Sequence, residues 1–171
     1  MPARVTPGDP RPHGSVGHNA PMPVTVRPVL PTDQPAWRRL WQGYLGFYEM
    51  DLPEENTQRT WQRILDPDSA ILCMVAELEG LVVGFAHCVV HENTWETQPV
   101  CYLEDLFVDA QARGHGVGKA LLDWLRNAMR AEGWARLYWV THRDNARARA
   151  LYDQFSQADE FVRYVLRLPR P

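Results

Sequence analysis

Two adjacent carboxylates, Glu104 and Asp105, are the side chains of this sequence best suited to proton transfer. They lie within residues 102–108, a run of β-branched, aromatic and aliphatic residues that is typical of a strand. A carboxylate in a partly dry cleft has a raised pKa and can act as a general base. Successive strand side chains point to opposite faces, so the two carboxylates cannot serve one proton unless a bulge interrupts the alternation. The alternative for either residue is a role without catalysis, in which the carboxylate lies at a solvated edge of the sheet or forms an ion pair with an arginine.

A glycine-rich turn follows this strand, and an amphipathic helix follows the turn. Residues 113–119 read RGHGVGK, an arrangement in which backbone N–H groups and the helix dipole converge on an anion. The sequence does not match a Walker A motif, because Arg113 stands where that motif has a glycine and Ala120 where it has Ser or Thr. It does not match the dinucleotide-binding motif G-x-G-x-x-G either, because the third glycine is missing. The pattern that fits is Arg-x-x-Gly-x-Gly, carried by Arg113, Gly116 and Gly118. A surface turn without a ligand is the alternative.

Hydrophobic periodicity predicts the elements that position these residues. Strands are predicted at 24–27, 70–78, 81–91, 102–108, 136–141 and 161–168. Helices are predicted at 37–48, around 61–65, at 116–132, and after a cap at Asp144-Asn145. The order β-α-α-β-β-β-α-β-α-β predicts an α/β (α+β) domain whose mixed, largely antiparallel sheet is flanked by helices.

Composition limits the classes of function. A hydrophobic content of 45% suits a single domain with a substantial core. A net charge of −3 gives no basic footprint, so we expect no nucleic-acid partner and a preference for cationic substrates. No apolar run is long enough to cross a membrane. Cys73, Cys88 and Cys101 lie in predicted strands without metal-ligand spacing, which predicts core thiols, no metal site and a reducing, cytoplasmic setting.

The first 22 residues differ in character from the rest. They are rich in proline and glycine and contain no apolar core of a secretory signal. We therefore expect residues 1–22 to form a disordered tail and residues 23–171 to form one domain. Met22 directly precedes the first predicted strand, which suggests that the translated domain begins there.

The element order and two motifs resemble the GCN5-related N-acetyltransferase (GNAT) superfamily over residues 24–168. The motif at 113–118 is similar to its acetyl-coenzyme A loop, and Asn145-x-x-Ala148-x-x-Leu151-Tyr152 is similar to its second cofactor motif. Residues 102–108 resemble spermidine/spermine and thialysine acetyltransferases, and residues 137–154 resemble yeast Hpa-type enzymes. Residues 155–161 replace the Gly-Phe found in many members, a departure that affects substrate specificity more than cofactor binding.

The resemblance implies direct transfer of an acetyl group from acetyl-coenzyme A to an amine. Glu104 is the expected base in a bulged strand, and Tyr152 is expected to give a hydrogen bond or proton to the departing thiolate; a buried structural tyrosine is the alternative. The backbone N–H of Val108 is an expected oxyanion donor. The expected cofactor-binding residues are Leu106, Phe107, Val108, Arg113, Gly114, His115, Gly116, Val117, Gly118, Lys119, Asn145, Ala148 and Tyr152.

The amine side is less defined by the sequence. We expect Asp105, Trp95, His91 and Glu54 to contact the substrate, with His91 as a secondary base and Trp95 as either a packed cap or a wall of the site. The expected substrate is a small cationic amine, which includes polyamines, lysine analogues and amino acids. A protein or histone tail is the alternative substrate, and a non-catalytic acyl-coenzyme A-binding module is the alternative class. The resemblance and an unpaired sheet edge also suggest a homodimer.

Overall fold

A computed structural model describes residues 23–168, in which five strands and four α-helices follow the order β-α-α-β-β-β-α-β-α. The strands are β1 (Val24–Pro28), β2 (Ile71–Leu78), β3 (Leu81–His91), β4 (Val100–Val108) and β5 (Arg136–Trp139). The helices are α1 (Gln34–Phe47), α2 (Glu54–Leu65), α3 (Val117–Glu132) and α4 (Ala146–Tyr152).

The strands form one sheet in the order β1-β2-β3-β4-β5. The first three pairings are antiparallel, whereas β4 and β5 are parallel and are joined through α3. Glu79 and Gly80 connect β2 to β3 with φ angles of 53° and 76°, as expected for a tight hairpin turn in which both residues are left-handed. The predicted α+β class and mixed sheet are confirmed.

Helices cover both faces of the sheet. On one face α3 buries Leu121, Leu122 and Leu125 against β2, β3 and β4, because these residues recur at helical spacing. On the other face α1 and α2 bury a tryptophan cluster, in which the Trp37 ring lies 4.9 Å from that of Trp61. The two cores fix the sheet between two helical layers, so β4 is held from both sides.

The prediction of a closing strand at residues 161–168 is wrong. This segment has no strand pairing, and Phe161, Tyr164 and Leu166 are 82%, 90% and 102% exposed. An alternating apolar pattern gives a strand only where a hydrogen-bonding neighbour is available, and within this chain the segment does not pair with β5, the short edge strand. The element order therefore ends at α4.

Other expectations can be placed on the structure. The predicted tail, residues 1–22, lies outside the described residues. Cys73, Cys88 and Cys101 are buried and unpaired, as expected for core thiols. Within residues 23–168, no helix is both long and apolar enough to cross a membrane, and no cluster of three potential metal ligands occurs.

Candidate active site

The sheet opens between β4 and β5. The parallel pairing joins Val100–Leu103 to Arg136–Trp139, and beyond Leu103 no described strand pairs with that edge of β4. On the β3 side, the Asp109 N–H donates to the Val83 carbonyl oxygen at 2.8 Å. Because antiparallel partners alternate, the N–H groups of Val108 and Leu106 point away from β3, toward the open edge. These donors are available to a ligand that lies along β4.

A β-bulge places both carboxylates in one cavity. Asp105 pairs with His87, and Leu103 pairs with the next residue of β3, so Glu104 is the extra residue of the bulge. The side-chain alternation is broken at this point, and Glu104 and Asp105 both line a cavity of about 1040 Å³, here called the β4 cavity. Because the bulge interrupts the alternation of side chains, Glu104 and Asp105 can face the same ligand.

Charges of both signs line the β4 cavity. Glu104 and Asp105 come from β4 and Asp66 follows the end of α2, whereas Arg59 and Arg63 come from α2, one helical turn apart. Arg59 also pairs with Glu55 of the same helix, Nη2 to Oε1 at 2.7 Å. The cavity therefore suits a ligand that carries both a cation and an anion.

Glu104 has the electrostatic environment of a base. Burial raises the pKa of Glu104, the charge of Asp105 raises it further, and Arg163 partly opposes the shift. Desolvation disfavours the carboxylate, so the ionised form of Glu104 binds a proton more readily than an ordinary glutamate does.

The glycine-rich turn forms one side of a second cavity of about 450 Å³, here called the glycine-loop groove. Gly114 and Gly116 have φ angles of 84° and 78°, which L side chains rarely adopt, and a Cβ atom at either would meet no atom within 4 Å. Gly116 is also the N-cap of α3 and gives no side-chain cap. The first N–H groups of this 16-residue helix thus have no side-chain acceptor from the N-cap, and the first turn lines the groove, an arrangement that suits a phosphate.

Gly118 has a different role. A Cβ atom there would lie 2.9 Å from Cδ2 of Leu151, so glycine allows α3 and α4 to pack closely. Asn145 caps α4, where its side-chain Oδ1 accepts a hydrogen bond from the Ala148 N–H at 3.2 Å. Close packing and this cap hold α4 so that Tyr152 lines the groove.

Tyr152 is mostly buried beside the Trp139 ring, with the ring centroids 5.3 Å apart. Burial, with a smaller contribution from Tyr48, raises the pKa of Tyr152 to about 12. The hydroxyl group is therefore protonated at neutral pH and is available as a hydrogen-bond donor.

The structure brings most expected cofactor residues together. The groove is lined by Leu106, Phe107, Val108, Arg113, Gly114, Gly116, Val117, Gly118, Lys119, Asn145, Ala148 and Tyr152. His115 is the exception, since its ring Nδ1 lies within 3.3 Å of the Ala112 carbonyl oxygen instead of lining the groove. Their roles in binding stay predictions.

Of the four residues expected to contact the substrate, only Asp105 lines the β4 cavity. Trp95 is 81% exposed in the β3–β4 loop. Glu54 pairs with Arg38, and His91 Nε2 lies 2.9 Å from the Tyr138 hydroxyl oxygen. None of these three lines the cavity, so as substrate contacts they stay predictions without geometric support.

Several residues of the two cavities are not among the expected site residues. Tyr44 of α1 and Tyr48 directly after it line the groove, while His87 and Arg63 line the β4 cavity. The i, i+4 spacing of the tyrosines predicts a shared face, mainly for core packing, whose far end could line a pocket. No comparable signal marked His87, because a single histidine in an apolar strand also fits the core.

Comparison with known proteins agrees with this geometry. Residues 35–156 match the acetyltransferase (GNAT) family. The D-amino-acid N-acetyltransferase HPA3 of Saccharomyces cerevisiae is 34% identical over 143 residues, 82% of this chain and 89% of that protein. The aminoglycoside N(6')-acetyltransferase type 1 of Stenotrophomonas maltophilia is 35% identical over 112 residues, 61% of this chain and 69% of that protein.

Solved structures share the fold. An aminoglycoside acetyltransferase from an uncultured soil metagenomic sample superposes with a TM-score of 0.72 at 21% identity, covering 86% of this chain and 97% of that one. The aminoglycoside N-acetyltransferase AAC(6')-Iy, solved in complex with CoA, gives 0.71 at 21% identity and covers 88% and 99%. The chain therefore belongs to the acetyltransferase (GNAT) family and is an N-acetyltransferase.

Proposed function

We propose that this enzyme transfers an acetyl group from acetyl-coenzyme A directly to the amine of a small amino acid. The observation that carries the proposal is the β4 cavity, where the bulge presents Glu104 and Asp105 on one side and α2 presents Arg59 and Arg63 on another. The glycine-loop groove provides the second substrate site, and the open edge of β4 provides backbone donors beside it.

The groove fits the chemistry of coenzyme A. Gly114 and Gly116 leave an open cradle at the N-terminus of α3, which favours the pyrophosphate group. Arg113, which lines the groove, donates from Nε to the Val108 carbonyl oxygen at 3.3 Å and so ties the loop to β4. When bound, acetyl-coenzyme A supplies an activated acetyl thioester, and the Val108 N–H is the donor placed to stabilise negative charge on its carbonyl oxygen.

Glu104 makes the amine nucleophilic. A primary amine with a pKa of about 10 is almost entirely ammonium at pH 7 and cannot attack. Glu104 takes one proton from the ammonium group, the nitrogen bonds to the acetyl carbon, and the carbon–sulfur bond breaks. The nitrogen loses a second proton as the amide forms. Each turnover thus gives one N-acetyl product, one free thiol and one proton released to solvent.

The arginines of α2 favour an amino acid over a polyamine. A polyamine would place only positive charge beside Arg59 and Arg63, whereas the carboxylate of an amino acid forms strong hydrogen bonds with a guanidinium group. The similarity to a yeast D-amino-acid N-acetyltransferase supports this choice. The similarity to an aminoglycoside N(6')-acetyltransferase supports aminoglycosides as the second candidate.

A matched pair of substrates tests the proposal. Cadaverine is lysine without its carboxylate, so D- and L-lysine compared with cadaverine isolate the contribution of that group. We expect kcat/KM for at least one lysine enantiomer to exceed that for cadaverine by about 10- to 100-fold, the effect of one charge-assisted hydrogen bond. Arg63→Gln should remove most of this difference without lowering turnover of cadaverine. Better turnover of cadaverine, an aminoglycoside or a basic peptide would overturn the amino-acid assignment.

We also infer that the enzyme is a homodimer in which residues 161–168 contact a second copy. This segment exposes Phe161, Val162, Tyr164, Val165, Leu166 and Leu168, and a run of exposed apolar side chains of this length favours a partner. Light scattering at working concentration should give twice the 19.7 kDa mass of the chain. Deleting residues 161–171 should then give a monomer, whereas a monomeric mass for the intact chain would refute the inference.

A further inference from the structure

A chain of hydrogen bonds runs from the tryptophan cluster to the β4 cavity. The Trp37 Nε1–H donates to His87 Nε2 at 2.9 Å, and His87 Nδ1 lies 2.9 Å from Asp105 Oδ2. Trp37 is 0% exposed and His87 is 3% exposed, so neither group has an alternative partner in solvent. The chain ends at a carboxylate that lines the cavity.

The chemistry of tryptophan fixes every proton in this chain. An indole N–H can only donate, so His87 Nε2 must be an unprotonated acceptor. The remaining ring proton of the neutral imidazole is then on Nδ1, and it is donated to Asp105 Oδ2. If the His87 ring were a protonated imidazolium, its Nε2–H and the Trp37 Nε1–H would point at each other. His87 is thus a neutral imidazole of one tautomer, with both nitrogens occupied, and cannot itself be the base.

Packing holds the imidazole in this orientation. The His87 ring centroid lies 4.5 Å from that of Phe85 and 5.5 Å from that of Trp41. Tyr44 of α1 lies close to Asp105, and burial together with the charge of that carboxylate raises the pKa of the tyrosine. The ionisable groups around Asp105 are Tyr44 from α1 and Tyr48 directly after it, Arg59 and Arg63 from α2 and Asp66 directly after it, Cys73 from β2, His87 and Cys88 from β3, and Tyr102 and Glu104 from β4.

We propose, building on the function proposed above, that Trp37 and His87 are positioning residues that hold Asp105 as a fixed carboxylate to bind the substrate ammonium. The donated Nδ1–H occupies Oδ2 and leaves the other oxygen of Asp105 to the ligand. The fixed negative charge of Asp105 also favours a proton on the neighbouring Glu104, so the two carboxylates have different roles. Asp105 binds the cation, and Glu104 moves the proton.

The wild-type enzyme provides the first test. In nitrogen-15 NMR, the His87 ring should show the Nδ1–H tautomer, with Nε2 as the hydrogen-bond acceptor. Loss of the signal in His87→Gln identifies it among the 6 histidines. An Nε2–H tautomer, or N–H signals from both ring nitrogens, would overturn the proposal. This measurement is independent of turnover, so it stands or falls separately from the proposed function.

Two tryptophan variants provide the second test. Trp37→Phe keeps an aromatic ring but removes the donor, so His87 should lose its single Nδ1–H tautomer and KM for the amine should rise about tenfold, with a smaller change in kcat. Trp61→Phe is the matched control, because its ring packs on Trp37 but makes no described hydrogen bond to His87. Equal KM values for the two folded variants would overturn the positioning role. If Trp37→Phe does not fold, Asp105→Asn should show the same rise in KM, and an unchanged KM there would equally refute it.

Discussion

Replacing Glu104 with glutamine removes the proposed base but keeps nearly the same shape in the β4 cavity. The variant must rely on substrate that arrives as free amine, which for a lysine-like amine of pKa about 10.4 is about one molecule in a thousand at pH 7.4. We therefore expect kcat/KM at pH 7.4 to fall by about 10³-fold, within the usual range for a lost general base. The loss should shrink about tenfold for each pH unit until the pKa of the amine is reached.

The assay is a pH series of initial rates, followed by thiol release, for wild type and variants. Wild-type activity should fall toward acidic pH as Glu104 becomes protonated, and because burial raises its pKa, this fall should begin above the ordinary range of a glutamate. Glu132→Gln, an exposed acid at the end of α3, is the control and should follow wild type. A wild-type pH profile for Glu104→Gln would show that another group, or a water chain, removes the proton.

Two further predictions concern the groove and the fold. Saturating acetyl-coenzyme A at about 100 times its Kd should stabilise the enzyme by about 2.7 kcal/mol, or about 5–10 °C in Tm. Gly116→Val should abolish that shift, whereas Gly80→Val, with a similar φ of 76° but in the distant β2–β3 turn, should keep it. Hydrogen bonds from Arg27 lower the pKa of the buried Asp33 carboxyl, so its stabilising effect is full above about pH 4 and is lost as pH falls through its folded pKa. Arg27→Gln should cost about 2–4 kcal/mol in urea unfolding at pH 7, and the difference should shrink toward pH 2.

The glycine loop could be predicted from the sequence because its geometry is local. Gly114 and Gly116 adopt positive φ angles within a few residues of the helix that they begin, so residue type and spacing contain the information. The same holds for Asn145, whose cap of α4 involves a partner three residues away. The predicted bounds of α1 and α3 lie close to those observed, whereas α2 begins at Glu54, well before the predicted residues 61–65.

The arrangement of the β4 cavity depends on distant contacts. The bulge at Glu104 exists only in the register of β4 against β3, and Asp105 contacts His87, whose ring accepts a hydrogen bond from Trp37, far away in the sequence. Residues 161–168 show the reverse case, where a good strand pattern lacks a neighbouring strand. Glu54 was expected near the substrate but instead pairs with Arg38 of α1, a contact between helices that no local pattern specifies.

The pKa of Tyr152 distinguishes its two possible roles. An ordinary thiol has a pKa of about 8.5, so full proton transfer from a tyrosine of pKa about 12 to a thiolate is unfavourable by roughly 3.5 units, or about 5 kcal/mol. We therefore expect the hydroxyl group to act as a hydrogen-bond donor that stabilises the departing sulfur, with a proton released from the amine neutralising the thiolate. Tyr152→Phe should lower kcat by about 10²-fold with acetyl-coenzyme A affinity nearly unchanged, and high pH should not restore it. Recovery at high pH like that of Glu104→Gln would place Tyr152 on the amine side of the reaction instead.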